Sequence, residues 1–455
     1  MRSLVISSLC FLSGLSSLVS GASVPRYLES QPTTRRNLTS QAVRRELGSQ
    51  VSPGTLIYGP GDAEFANLTS RWTDFSKPDV RVVIEPAAES DVSSIVKYCN
   101  YNGIDFLAIG GGHGLTYSLK KFSGLQITAS RPGSEGGTVV GPVIQYLYDR
   151  GYVTTTGGCE CVGMLGAGLG GGHGRYEGFY GLISDNILQL RVVLANGSAI
   201  VVSKSSYSDL FWAMRGAGHN FGIVTSYKMN IFPVGPKTWH WHNYIWRGEQ
   251  LETVFGALNA FHNNGSTPEP VLFWTFAYRG PADEAEKLLA PFNAIDAVSS
   301  TMGDVPYSQI ATAQGTGWDS AICQHDLVHV TSSVFLQVFN VTTERQIFEG
   351  FKRRIDPASS AYPFRGDRHL TLFNAVVPSP DYEAAARAWA AEVRDQWIAG
   401  QPGRKLDAYV NYANGMETVP DWYGHESWRI ERLKSLKAKY DPHNRFRYYN
   451  PIIAA

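Results

Sequence analysis

The chain predicts an α+β protein organised in two domains, and three observations carry that prediction. Its 455 residues exceed what a single hydrophobic core comfortably holds. From Val80 to about Pro233, strand-like apolar runs alternate with helix-like ones. From Lys237 to about Gly400 the texture changes. Alternating aromatic stretches (TWHWHNYIW, VLFWTFAY, VHVTSSVFLQVF) are there separated by charged helical stretches such as DEAEKLLAPF and PDYEAAARAWAAEVRDQW. This second region predicts an antiparallel sheet backed by helices, able to cover whatever the first domain holds.

Taken in order, residues 1–22 read as a secretory signal. One arginine precedes an apolar run too short to span a bilayer, and small residues suit cleavage after Ala22. No later run is long and apolar enough for a membrane anchor. Sequons at Asn37, Asn67, Asn196, Asn264 and Asn340 fit the same secretory route. Residues 23–59 are polar and aperiodic, and predict a flexible leader. A first domain is expected over 60–235. In it, RVVIEP reads as a strand, and Ser90 caps a helix through Tyr98 with Asp91 in its first turn. IDFLAIG is a buried strand. ILQLRVVLANGSAIVV is a hairpin turned by Asn196-Gly197, SDLFWAMRGAG a short helix and GIVTSYKMNIF a further strand. The second domain spans 236–404. A closing segment, 405–455, offers a strand at YVNY and the helix SWRIERLKSLKAKY, ended by Asp441-Pro442. Ile430, Leu433 and Leu436 give that helix an apolar stripe, so its basic residues form a solvated side.

Forty basic residues balance forty acidic ones, which removes the electrostatic case for nucleic-acid binding. Apart from Cys10, the cysteines are Cys99, Cys159, Cys161 and Cys323, too few for a disulfide framework. Cys159 and Cys161 stand too close in an extended segment to bridge each other. No second Cys/His pair lies at zinc spacing from this CxC, so no metal is expected.

The 46 glycines are the compositional outlier. Gly-Gly-Gly-His-Gly occurs at 110–114 and again at 170–174, each time after an apolar segment. Without a Cβ, such runs let backbone N–H groups approach a pyrophosphate, and two of them suggest a long phosphate-containing cofactor held from two sides. Gly166 to Gly171 formally satisfies G-x-G-x-x-G. It lacks the preceding strand, the following helix and the downstream acidic residue that a nicotinamide site requires.

The wider pattern is more specific. GGGHG, GGCECVGMLGAGLGGGHG, GLISDNIL, VVLANGS and DLFWAMRGAGHNFGIVT, together with the C-terminal YVNYANG, WYG and YDPHNRFRYYNPI, closely resemble the berberine-bridge-enzyme-like flavoproteins of the vanillyl-alcohol-oxidase or para-cresol-methylhydroxylase (PCMH) superfamily, fungal branch. The resemblance covers about residues 60–235 and 405–453. It implies a PCMH-type two-subdomain FAD-binding domain and an oxidase. The implied reaction moves hydride from a small organic substrate, such as a secondary-metabolite intermediate, to covalent FAD and then to dioxygen. A secreted carbohydrate oxidase acting on an anomeric hydroxyl is the alternative, and a flavin-free secreted binding protein a third reading.

The same resemblance implies the site residues. His113 stands at the covalent attachment position, within a loop of Gly110, Gly111, Gly112 and Gly114 that wraps the pyrophosphate. Cys159 aligns with the second tether found in some members. Cys161 shares its face in an extended chain and reads as an inert small core residue. Gly163, Gly166, Gly170, Gly171 and Gly172 are expected along the pyrophosphate and ribityl chain, and Gly222 and Ile223 at the adenine side. Asn450 supports the flavin pocket, Asp185 pins loop amides, and His173 and His219 are structural. Oxidation needs a base, and Tyr409, then Tyr412, are the candidates, on opposite faces of the YVNY strand. Between Ile127 and Val143 the chain is shorter than its relatives by roughly a dozen residues by this resemblance.

Overall fold

The computed structural model describes residues 37–128, 138–246, 273–325, 328–336, 360–364, 369–377, 383–399 and 403–454, with positions 253 and 257. The signal segment, Asn264, Asn340 and most of the short stretch after Ile127 lie outside the described residues.

The chain acquires regular structure earlier than its composition suggests. Thr39 caps helix α1 (Ser40–Leu47) by accepting the Ala42 N–H, at 3.2 Å. Val43, Leu47 and Ile57 are buried in a core with the first sheet. The expected leader is thus ordered from α1 onward, because its few apolar residues all fall on one face.

The first sheet has the order β1-β2-β4-β3, from β1 (Leu56–Tyr58), β2 (Asp79–Glu85), β3 (Phe106–Ile109) and β4 (Ser123–Thr128). β1 runs antiparallel to β2, while β4 lies parallel to both β2 and β3. Helix α2 (Glu89–Tyr101) crosses from β2 to β3 and buries Val92, Ile95, Val96 and Cys99. Its N-cap position is Ala88 rather than Ser90, and the Asp91 side chain, in the first turn, reaches back to it. One carboxylate oxygen accepts the Ala87 and Ala88 N–H groups at 3.2 and 2.9 Å, and the other holds Ser52 at 2.9 Å. Two carboxylate oxygens can satisfy several orphan donors at once, which a hydroxyl cannot.

Helix α3 (Val140–Tyr148) and β5 (Tyr152–Val153) lead to the second glycine-rich stretch, within which Met164–Gly168 form the short helix α4. β6 (Ile187–Val193) then pairs with β7 (Ala199–Ser203) through the expected Asn196-Gly197 turn, and with β8 (Ile223–Met229) on its other edge. Gly197 sits at φ +81°, the left-handed region such a turn demands. Helix α5 (Ser208–Ala217) lies between β7 and β8, and β9 (Phe232–Pro233) returns to pair with β5.

The second region holds a three-stranded antiparallel sheet. β10 (Thr238–Ile245) sits between β11 (Phe273–Tyr278) and β12 (Ser299–Pro306). Helix α6 (Ala282–Asn293) covers it, contributing Leu289 and Phe292 to a cluster with Tyr244 and Trp246. A separate pair, β13 (Val328–Leu336) with β14 (His369–Val377), packs with helix α7 (Glu383–Ala399). Among the described residues the aromatic strands therefore form two ladders rather than one.

Helix α8 (Ser427–Tyr440) brings Leu433 and Leu436 into the core shared by β6, α5 and residues 408–413, so the closing segment returns to the first domain. Lys437 fixes this return. Its buried ammonium donates to the Asn220 carbonyl (2.8 Å), Asp441 (2.7 Å) and the Phe446 carbonyl (2.7 Å). Burial pulls its pKa down to about 8. Replacing Lys437 by Met leaves the Asp441 carboxylate buried without its cation. We expect a loss of about 3–5 kcal/mol, read as a lower midpoint of chemical unfolding.

Candidate active site

A cavity of about 870 Å³ opens where the loop after β3 meets residues 157–167, the start of β8, the turn at 409–412 and the segment 445–449. Its narrowest constraint is a backbone contact. A Cβ on Gly111 would lie 2.6 Å from the Gly163 nitrogen, and one on Gly163 would lie 2.8 Å from the Gly111 nitrogen. Neither approach tolerates a side chain, so both loops must carry glycine there. Gly112 adds a left-handed φ of +72°. Gly110 and Gly166 line the cavity, and a Cβ on either would meet open space, leaving their backbones bare toward it. Gly114, Gly222 and Ile223 also line it.

The second pentapeptide behaves differently. Gly170, Gly171 and Gly172 are not among the lining residues. A side chain on Gly170 would strike Asn411, on Gly171 Tyr362, and on Gly172 Ile183. These glycines serve close packing and not the approach of a ligand. They reach the site indirectly, Gly170 by packing on Asn411 and Gly172 through its N–H, which donates to the Tyr409 hydroxyl at 2.9 Å. Asn450 also stands outside the cavity. It is buried at φ +39° and donates to the Val410 carbonyl at 2.8 Å, bracing the 409–412 turn from behind.

His113 projects into the cavity with its Nδ1 donating to the Gly111 carbonyl at 2.8 Å, which leaves the basic lone pair on Nε2. Its ring stacks on Trp72 at 5.5 Å between centroids, and Trp72 is anchored by donating to the Ile322 carbonyl at 2.6 Å. Cys159 is a free thiol lining the same cavity. Burial raises its pKa, while the nearby Arg175 guanidinium pulls the other way.

Cys161 departs from expectation. It is bonded to Cys323, with their Cα atoms 5.8 Å apart, and its sulfur lies 3.6 Å from Nε2 of His113. Residues 159–162 form a turn, closed by the Val162 N–H on the Cys159 carbonyl, and not an extended run. The two cysteines therefore do not share a face. Cys159 meets the cavity while Cys161 fastens the loop to the second region. A bridge closing a loop of 162 residues removes about 5 kcal/mol of unfolded-chain entropy in the loop-closure treatment.

YVNY is also a turn rather than a strand, with the Tyr412 and Ala413 N–H groups both donating to the Tyr409 carbonyl at 2.8 Å. Both tyrosines consequently reach the cavity, their rings 5.0 Å apart. The Tyr409 oxygen accepts from Gly172 N–H and from the Asn411 amide, at 2.9 and 2.7 Å. Burial outweighs those donors and raises its pKa far above the ordinary phenol range. Burial pushes Tyr412 up to about 12, with Cys159 adding to it.

Several site residues carried no sequence signal. Arg71 is buried, donates to the Gly114 carbonyl at 2.9 Å, and is pulled down by burial to about 10. Trp72 and Asn411 belong with it, the latter also donating to the Ala167 carbonyl at 2.8 Å. His219 braces the loop as expected, donating to the Gly166 carbonyl at 2.9 Å, and burial lowers it to about 4, so the ring is neutral. Asp185 accepts the Leu182 N–H at 3.0 Å, and His173 bridges Glu177 and Tyr362. Arg71 Nε, His219 Nδ1 and Asn411 Oδ1 are buried without a hydrogen-bond partner among the described residues. Orphaned polar atoms around a glycine-walled cavity fit a large polar cofactor.

Comparison with known proteins agrees with this geometry. The FAD binding domain family matches residues 80–203, and the berberine and berberine-like family matches 408–453. The FAD-linked oxidoreductase OXR2 of Pyricularia oryzae is 42% identical over 99% of both chains. The FAD-linked oxidoreductase iacH of Pestalotiopsis fici is 44% identical, covering 97% of this chain and 96% of its own. The alignment to the first runs over 513 positions, so that relative carries residues with no counterpart here. Among solved structures, a Physcomitrella patens BBE-like protein superimposes with a TM-score of 0.74 at 19% identity, over 87% of this chain and 96% of its own. A chitooligosaccharide oxidase does so at 0.74 and 20%, over 91% and 100%. These two share the PCMH-type α+β fold.

Gly163→Ala forces the two loops apart at the backbone. We expect this variant to fold but to be isolated with a markedly lower visible-to-ultraviolet absorbance ratio than the parent. Gly178→Ala, whose Cβ would meet open space, serves as the control and should leave the ratio unchanged.

Proposed function

Because the chain belongs to the berberine-like FAD-linked oxidoreductases, we propose that it is an oxidase with covalently held FAD, acting on a small, largely apolar organic substrate with dioxygen as electron acceptor. The observation that carries this is the Gly111–Gly163 backbone contact beneath His113, with the free thiol of Cys159 facing the same cavity. His113 would tether the ring system, with Cys159 as the second attachment. Gly110, Gly166, Gly222 and Ile223 would hold the dinucleotide through their main chain. When bound, the flavin accepts hydride from the substrate and returns the electrons to dioxygen.

The protein's own residues supply the rest. Tyr409 would take the substrate proton: it lines the cavity, and the two donors on its oxygen offset part of the burial that opposes its ionisation. Trp72, Ile322, Leu372 and Tyr412 give the cavity apolar and aromatic walls. That lining supports a specialised-metabolite intermediate over an oligosaccharide, whose hydroxyls would each need a polar partner. We also place the protein in the secretory pathway. The N-terminal apolar run supports this, as does the exposure of Asn37, Asn67 and Asn196. No helix among the described residues is long and apolar enough to cross a membrane.

Two measurements test the reading. The purified protein should stay yellow after acid precipitation, and the peptide containing His113 should carry the mass of FAD. The His113→Ala, Cys159→Ala double variant should release its colour. A folded but colourless parent would instead support the flavin-free binding protein. The second measurement concerns the base. The deprotonated phenol is the active form, so kcat/KM should rise with pH toward the alkaline limb. Tyr409→Phe should flatten that rise and lower kcat by about 10²–10⁴-fold while the protein stays yellow. The same loss in Tyr412→Phe, with Tyr409→Phe unaffected, would transfer the role.

A further inference from the structure

Strand β10 carries two sets of side chains. Trp239 and Trp241 pack toward Tyr176 and Tyr307, beside the first domain. His240 and His242 point the other way, toward helix α6, and each is only 3% exposed. Nε2 of His240 and Nδ1 of His242 both lie 2.8 Å from the same oxygen of Glu286. The three ligand atoms fall within 4.8 Å of one another. Neither histidine lines the large cavity, so the cluster is separate from the active site.

We propose that His240, His242 and Glu286 bind a divalent transition metal of the zinc type, fastening α6 to the sheet. Two imidazoles and one carboxylate select such an ion over calcium or magnesium, which prefer all-oxygen shells. The surroundings are built for it in two ways. First, the outer nitrogens are already tied: Nδ1 of His240 to Asp304 at 2.7 Å and Nε2 of His242 to the Ser300 hydroxyl at 2.7 Å. Such carboxylate–imidazole pairs orient metal-binding histidines and fix their tautomers. The other Glu286 oxygen is held by the Asn293 amide at 2.7 Å. Second, a void of about 60 Å³ adjoins both imidazoles, bounded by Phe276 and Leu289, with room for a water as the remaining ligand.

In the metal-free arrangement a carboxylate oxygen stands at each ring nitrogen of His240, Asp304 on one side and Glu286 on the other. A bound cation would sit among Nε2 of His240, Nδ1 of His242 and the Glu286 oxygen, with both rings ligating as neutral imidazoles. No electron transfer is involved.

The test uses the full-length, flavin-loaded protein, stripped of metal with a chelator and dialysed. Zinc sulfate titrated by calorimetry should bind with one equivalent per chain. Cobalt chloride should give the visible bands of a tetrahedral site, at wavelengths beyond the flavin absorption. Glu286→Gln and His242→Ala should each weaken binding at least tenfold, and Asp304→Asn by about 10–100-fold. Absence of saturable zinc uptake by the parent, or uptake that these variants leave unchanged, overturns the proposal. Should the variants fail to fold, the parent decides: its Tm should rise with zinc and fall back with chelator, and a Tm indifferent to both refutes the site.

Discussion

The contact between the Gly111 and Gly163 backbones determines how the rest of the active site is arranged. It joins the loop that follows β3, the edge strand of the first sheet, to a loop that begins the second half of the same domain. With the two chains this close, the main chain of both faces one space, and His113 is held at its rim with Trp72 behind it. Everything that lines the cavity from further away has to accommodate that pinch. The glycines are therefore under two separate demands. Some face open cavity where a Cβ would meet nothing, and at others another part of the protein already occupies the place of a side chain.

The second glycine stretch illustrates the other demand. Gly170 to Gly172 pack against Asn411, Tyr362 and Ile183. Through Gly172 N–H and Asn411 they reach the hydroxyl of Tyr409. The closing segment, locked to the domain by Lys437, is thereby brought to the cavity. The placement of the Tyr409 hydroxyl consequently depends on packing between chain regions more than 200 residues apart.

Much of this was legible in the sequence, and the exceptions have physical reasons. The β6–β7 hairpin, the buried β3 before the first loop, the apolar stripe of α8 and the pinning role of Asp185 all rest on local patterns. So did His113, which follows its glycines directly. The second pentapeptide was misread because the spelling of a glycine run does not say what a Cβ would have met. YVNY was misread because its residues favour strands, while its partners, Gly172 and Ala167, are remote. The Cys161–Cys323 bridge spans 162 residues and has no local signature. Arg71 is an ordinary arginine until burial and its bond to the Gly114 carbonyl are seen. The His240–His242–Glu286 cluster joins a strand to a helix 44 residues on, which the pattern of the strand alone does not show.

The covalent link from Cys161 to Cys323 sets an order of events during biosynthesis. The bridge can close only once the 162-residue separation between the two cysteines has been translated, and the closing segment that completes the first domain's core follows Cys323 in the chain. Clamping the turn beside His113 and completing that core therefore both wait on the C-terminal half.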